Sequence, residues 1–219
     1  LKQCLADDCE ANAELAEKYI EDSDSSSMAV LTGKANEQHY EVPAEFYQRV
    51  LGKNLKYSCC FFEPHANDLS QAEDQALELS CEHACLEDGM EILELGCGWG
   101  SLSLWMAKQF PKARITSVSN SHSQRKYILD QARERGLTNL DILTEDVNVF
   151  ETDNHFDRVV SVEMFEHVRN HRELFSRIHS WLKPGGKLFT HVFCHRSTSY
   201  PFEVEGEDAG RAVVEHGDE

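Results

Sequence analysis

The chain of 219 residues has no Cys-x-x-Cys pair, only five prolines, no long apolar run, and barely half as many basic as acidic side chains. Each scarcity excludes something. A membrane-crossing helix needs roughly 20 apolar residues in succession, and none occurs here. The first residues, Leu1 to Glu10, are acidic and mixed, without the basic, apolar and small-residue zones of an export signal. Eight cysteines without such a signal fit thiols in a reducing cytoplasm better than a disulfide framework, so a cytoplasmic location is expected. The 21 Lys and Arg stand against 39 Asp and Glu, a formal net charge of −18. A field of that sign repels phosphates, which argues against nucleic acid and against stable association with an anionic membrane. It also keeps the chain soluble.

The charge is concentrated at the ends. Residues 1–90 carry 6 basic and 19 acidic side chains, residues 91–195 carry 13 of each, and residues 196–219 carry 2 and 7. A balanced globular middle with acidic flanks follows. Hydrophobic content of 41% supplies a sizeable core. Eleven histidines raise the question of a metal. His167/His171 and His191/His195 are each spaced i, i+4. The second pair falls in an expected strand, where that spacing makes no helical clamp, and the first has no third ligand nearby. No metal is expected from these pairs.

Lys2–Tyr19 reads as an acidic amphipathic helix, with Leu5, Ala6, Leu15 and Ala16 available for a partner face. Glu21–Ser27 reads as a linker by composition. Pro43 opens a short helix through Val50, which Gly52 ends. Lys56–Pro64 is an aromatic, Cys-rich loop, and Asp68–Cys85 a further helix with Ala72, Ala76, Leu79 and Ala84 as candidate buried positions. From Met90 onward strands and helices alternate. Expected strands are Glu91–Leu95, Arg114–Ser119, Leu140–Thr144, Arg158–Val162 and Lys187–Phe193. Expected helices are Ser101–Phe110, Ser123–Arg135 and Arg172–Leu182, and the turn Lys183–Gly186 separates the last helix from its strand. Repeated β-α units at this spacing imply an α/β fold with a parallel sheet and right-handed crossovers.

The first of these strands runs into Glu94-Leu95-Gly96-Cys97-Gly98-Trp99-Gly100, and a helix follows. A Gly-rich turn between strand and helix lets backbone N–H groups approach a ligand closely. Two details select the ligand. A dinucleotide fingerprint would place its third Gly at the position of Ser101. It would also place an acid at the end of the second strand, where Ser119-Asn120-Ser121 stands instead. The acid lies within the turn motif, at Glu94. That suits a nucleoside with a cationic amino-acid tail and no pyrophosphate, such as S-adenosylmethionine. Asp146, in Thr144-Glu145-Asp146-Val147-Asn148, taken alone reads more readily as a helix cap than as a ligand contact.

Glu94–Gly100 resembles the first motif of class I S-adenosylmethionine-dependent methyltransferases. Together with Lys56-Tyr57-Ser58-Cys59, Asn120-Ser121-x-x-Gln124 and Glu163-Met164-Phe165-Glu166-His167, it resembles the cyclopropane-fatty-acyl-phospholipid synthase-like group. That group includes the plant coclaurine N-methyltransferases. The resemblance covers roughly residues 40 to 200. It implies a Rossmann-like class I methyltransferase fold with a mostly parallel sheet and an N-terminal helical cap, and S-adenosylmethionine as cofactor. It implies that Tyr57 and Ser58 close over the methionine end. Gly96 and Gly98 line the methionyl and ribose portion. Asn120 and Gln124 reach the adenosine, and Asp146 and Val147 hold the adenine.

Beyond the fourth strand lie Glu163, Glu166 and His167. Offsets of three and four place all three on one arc if the segment turns helically. Transfer of a methyl to an amine requires a free nitrogen lone pair. Carboxylates attract an ammonium, and an imidazole beside them, with an ordinary pKa near operating pH, takes its proton. Glu163, Glu166 and His167 are therefore the candidate catalytic residues. The resemblance leaves a lipid reading open. The lipid synthases use a bicarbonate near a Cys, a Glu and a His, which map to Cys59, Glu166 and His191. Glu163, where those enzymes have Gly, the acidic charge and His191-Val192-Phe193-Cys194-His195-Arg196 favour an amine. A protein that holds the cofactor without turnover is a third possibility.

The expected organisation is a cap and cofactor lid over 1–88, a cofactor-binding core over 89–200 and an acidic tail over 201–219. The family continues past its fifth strand with a further helix and a strand hairpin. Those C-terminal strands are missing from Ser197–Glu219, so a seven-stranded sheet is not expected from this sequence. The expected activity is N-methylation of a small amine, with a small-molecule substrate as partner and the oligomeric state left open.

Overall fold

The computed structural model describes residues 9–28 and 43–194. Residues 2–8 of the expected first helix, and the acidic tail, lie outside the described residues. The elements in order are α1 (Cys9–Asp24), α2 (Ala44–Val50), α3 (Leu69–His83), β1 (Glu91–Leu95), α4 (Ser101–Gln109), β2 (Arg114–Ser119), α5 (His122–Glu134), β3 (Leu140–Thr144), β4 (Phe156–Val162), a 3-10 turn (Phe165–His167), α6 (His171–Trp181) and β5 (Leu182–His191).

The described strands form one parallel sheet in the order β3-β2-β1-β4-β5. Strands buried on both faces need apolar side chains in both directions. β1 supplies them: Leu93 and Leu95 join Phe150, Val159, Leu174, Ile178 and Trp181 on one side. Ile92 joins Leu77, Met106, Ile115 and Val160 on the other. Leu77, Cys81 and Ala84 belong to that second cluster, so the segment before β1 contributes to the core beneath the sheet.

Helix starts follow cap chemistry. Asp68 accepts from Gln71 N, Ser121 from Gln124 N and Asn170 from Glu173 N. Each carboxylate, hydroxyl or amide oxygen satisfies one of the unpaired donors of a first turn. Because Ser121 is the cap, α5 begins at His122, one residue before the expected start.

Two expectations are corrected. Glu21–Ser27 is not a linker: α1 runs to Asp24, and the chain beyond it is tied down. Asn170 Nδ2 donates to Asp24 O at 3.0 Å and to Ser26 O at 3.2 Å, Arg172 pairs with Asp24 at 2.7 Å, and Arg169 N donates to Met28 O at 2.7 Å. Serines and aspartates that read as flexible by composition here supply the carbonyls and carboxylate that dock α1 at the start of α6. The last strand starts at Leu182, not Lys187. Phe156 pairs with Leu182 and Arg158 with Lys187, so Lys183–Gly186 bulges from within the strand.

In a parallel sheet every strand ends on the same edge. Gly96, Asn120, Glu145, Glu163 and Val192 therefore follow the ends of β1, β2, β3, β4 and β5 on one rim. The strand order reverses between β1 and β4, the position at which open α/β sheets bind ligands.

Candidate functional site

The turn after β1 is built for close approach. Gly96 and Gly98 have φ of 78° and 51°, conformations that cost side-chain-bearing residues. A Cβ on Gly96 would lie 2.6 Å from Met164 Cγ, and one on Gly98 2.8 Å from the Tyr57 ring. The turn is pinned by Gly96 N and Cys97 N, both donating to Val118 O at 3.0 and 3.1 Å.

Glu94 does not face this turn as the sequence suggested. Strand alternation puts its carboxylate on the α4 side of β1, where it is 3% exposed and accepts hydrogen bonds from Ser103 and Ser117. Burial pushes its carboxyl up to about 7, against the two hydroxyls that lower it. The native state thus holds this proton more tightly than the unfolded chain. Stability from this group is fullest below about pH 4.5 and is lost as pH rises toward 7. The shift amounts to roughly 3 kcal/mol. Glu94→Gln keeps an acceptor and removes the charge. Its stability relative to wild type is expected to rise between pH 5 and pH 8 in paired denaturant titrations. A difference that stays constant across that range would contradict the buried ionisation.

The segment carrying Tyr57 and Ser58 is held from below by Glu73 of α3, which is fully buried. Its carboxylate accepts from Gly52 N at 2.9 Å, Asn54 N at 2.8 Å and Lys56 N at 3.2 Å. Lys56 is itself buried, and its Nζ donates to Ser58 Oγ at 2.7 Å and Cys59 O at 2.6 Å. Tyr57 extends outward over Gly98, with Tyr47 bridging it to Trp99 at ring separations of 5.9 and 5.4 Å. Glu73 and Lys56 are positioning residues that the sequence reading did not single out. The signal was present in Lys56, a charged residue within an aromatic loop.

The remaining residues of the expected cofactor set lie at the neighbouring strand ends. Asn120 is half-buried after β2. Gln124 is 1% exposed, and its Oε1 accepts from Ser119 Oγ at 2.8 Å. Asp146 and Val147 follow β3. Asp146 Oδ1 accepts from Asn148 N at 2.8 Å, while its carbonyl accepts from Val149 N and Phe150 N. Asp146 therefore does cap a local turn, with one carboxylate oxygen given to that task.

Glu163, Glu166 and His167 do not share a helical arc. Glu163 leaves β4 with a φ of 50° and only Phe165–His167 coils, as a 3-10 turn. A non-glycine residue in the left-handed region is held there by its surroundings, and such residues gather at functional sites. Here Glu163 N donates to His191 O at 2.7 Å. The bend turns the Glu163 side chain to Cys59, whose N donates to Oε1 at 3.3 Å. Cys59 Sγ lies 3.7 Å from His191 Nε2. Burial, then Glu163, raises the Cys59 thiol above its usual range, with Lys56 opposing. Glu166 takes a separate direction. Its Oε1 accepts from Phe193 N at 2.8 Å, while Oε2 is buried with no hydrogen-bond partner among the described residues. His167 is exposed at the end of the turn. Glu163, and not Glu166, thus joins Cys59 and His191.

The geometry combines a glycine turn at the switch point, an aromatic-tipped segment lying over it, and a carboxylate–thiol–imidazole cluster on the next strand ends. Known proteins resemble this chain in sequence and in fold. The sequence profile of the mycolic acid cyclopropane synthetase family matches residues 31–207. The chain is 39% identical to (S)-coclaurine N-methyltransferase of Thalictrum flavum subsp. glaucum over 173 residues, 79% of this chain and 48% of that protein. It is 34% identical to the cyclopropane-fatty-acyl-phospholipid synthase of Escherichia coli (strain K12) over 176 residues, 80% of this chain and 44% of that protein. The crystal structure of coclaurine N-methyltransferase bound to N-methylheliamine and SAH superposes with a TM-score of 0.90 at 33% identity, covering 95% of this chain and 60% of that one. The chain spans about half the length of the curated relatives it matches. With a matching profile over most of its length and the same Rossmann-like methyltransferase fold, the chain belongs to the mycolic acid cyclopropane synthetase family.

Proposed function

We propose that this chain is an S-adenosylmethionine-dependent methyltransferase acting on the nitrogen of a small amine. The residues present suit that cofactor. The cradle at Gly96 and Gly98 is one that a Cβ would close. Half-buried Asn120 and Asp146 follow β2 and β3 on the same rim of the sheet. In this reading Tyr57, Ser58, Gly96 and Gly98 hold the methionyl and ribose portions. Asn120 and Gln124 hold the adenosine, Gln124 through its amide nitrogen because Ser119 engages its oxygen. Asp146 and Val147 hold the adenine. The bound cofactor supplies an electrophilic methyl on a sulfonium.

The observation that carries the amine is Glu166 Oε2, a buried carboxylate oxygen without a donor among the described residues. An anionic oxygen in that state is costly and is relieved by a cationic hydrogen-bond donor. A protonated amine is such a donor. Glu163 and Glu166 attract and orient it, and His167 takes its proton so that the nitrogen lone pair is exposed. Against the lipid reading, the Glu163 carboxylate occupies the corner beside Cys59 and His191, and its charge disfavours a bicarbonate there. No helix among the described residues is long and apolar enough to cross a membrane. The cytoplasmic placement rests on the free thiols, adjacent Cys59 and Cys60 included. The acidic charge supports a small-molecule partner without nucleic acid or a stable membrane contact.

The test is ligand-dependent stability. S-adenosylmethionine at 100 times its Kd is expected to stabilise the fold by about 2.7 kcal/mol, read as a raised Tm. Anionic phospholipid vesicles at physiological salt are expected to sediment little of the protein. No shift with the cofactor, or tight sedimentation with the vesicles, would overturn the reading.

A further inference from the structure

The cluster formed by Cys59, Glu163 and His191 offers one sulfur, one oxygen and one nitrogen, all within 4.8 Å of one another. The three come from parts of the chain that no spacing rule connects: the loop before α3, the bend after β4 and the end of β5. Bond lengths of about 2.0–2.3 Å in a tetrahedral zinc site place neighbouring donor atoms about 3.5 Å apart. The Cys59 Sγ to His191 Nε2 separation of 3.7 Å already meets this. The other two edges require at most about 1.3 Å of closure. Cys59 is exposed, so solvent and an ion reach the cluster from that residue. The backbone on each side of the set is fixed, since Glu163 N is bonded to His191 O and Cys59 O to Lys56 Nζ.

We propose that Cys59, Glu163 and His191 bind a thiophilic divalent cation of the zinc type, and that the bound ion blocks the amine site. On binding, the Cys59 thiol loses its proton to solvent and its sulfur forms the metal bond. His191 Nε2 and a Glu163 oxygen each give a lone pair, and no electron changes hands. A mixed sulfur, nitrogen and oxygen donor set selects zinc or cobalt over magnesium or calcium, which prefer oxygen alone. The blocking part rests on the amine reading, because the ion neutralises Glu163 and places a positive charge where an ammonium would enter. The binding part rests on the donor geometry alone.

The experiment separates the two. The full chain is titrated with cobalt(II) in the absence of cofactor and amine. A thiolate-to-cobalt charge-transfer band is expected, abolished in Cys59→Ser, retained in Cys85→Ser and displaced by zinc. Calorimetric zinc affinity should fall at least about tenfold in Cys59→Ser and in His191→Ala, the scale that even an outer partner of a metal controls. Absence of the band, or a band that survives Cys59→Ser, would overturn the site whether or not the protein methylates amines. Zinc is then added to the methyl-transfer assay of the wild-type chain. Inhibition reversed by a chelator supports the blocking role. Binding without inhibition would overturn that role and leave the metal site standing. Binding by a chain that methylates no amine would overturn the amine reading instead.

Discussion

Replacing His167 by Ala is expected to lower kcat by about 10²–10⁴-fold while cofactor affinity stays close to that of the wild type. The reason is division of labour at the bend after β4. In the proposed reaction Glu163 and Glu166 carry the charge that holds an ammonium. In the same proposal the His167 imidazole takes the proton that must leave before nitrogen can attack. His167 sits exposed at the end of the 3-10 turn Phe165–His167, one residue from Glu166. The deficit should shrink as pH approaches the amine's own pKa, since solvent then supplies free amine. Glu163→Ala should raise KM more than it lowers kcat, because its charge acts on ground and transition states alike. A His167→Ala deficit that stays constant from neutral to alkaline pH would give His167 a structural role and remove it from the chemistry.

Gly98→Val is expected to abolish S-adenosylmethionine binding. Gly98 has a φ of 51°, and its missing Cβ would stand 2.8 Å from Tyr57 Cε1 and 3.0 Å from its hydroxyl. A branched side chain there fills the space between turn and ring and strains the backbone as well. Tyr57 is 53% exposed, so the ring can swing outward and the fold should survive. The variant Gly98→Val with Tyr57→Ala removes the clash altogether. In calorimetry both variants should show no cofactor binding while retaining a cooperative melt. Binding equal to wild type in either one would take the glycine turn out of the site.

The sheet was legible because its signals are local. Short runs rich in Ile, Leu and Val, such as Glu91–Leu95 with Ile92, Leu93 and Leu95, bounded by turn residues, signal strands locally. Asp68 and Ser121 mark helix starts by their own side chains. Composition misled where a polar segment has a distant partner, as Glu21–Ser27 does with Asn170 and Arg172. Spacing misled where the backbone leaves regular geometry. The offsets among Glu163, Glu166 and His167 assume a helix, but the left-handed Glu163 sends its carboxylate toward Cys59 and His191. Glu94 shows a third limit. The motif marks the residue, yet only strand alternation inside the folded sheet shows that its carboxylate turns to Ser103 and Ser117 and away from the rim. The cluster joins Cys59 to Glu163 and His191, each more than a hundred positions further along the chain, and pairwise histidine spacing carries no trace of it.

The central claim, methyl transfer to an amine nitrogen, is tested most directly by following the methyl group. The full chain is supplied with methyl-labelled S-adenosylmethionine, a panel of secondary amines and phospholipid vesicles carrying unsaturated acyl chains, all in one reaction. The products are then separated by mass spectrometry. The account predicts label on nitrogen of at least one amine, and its loss in His167→Ala at neutral pH. Label recovered in the acyl chains, with none on any amine, would contradict it.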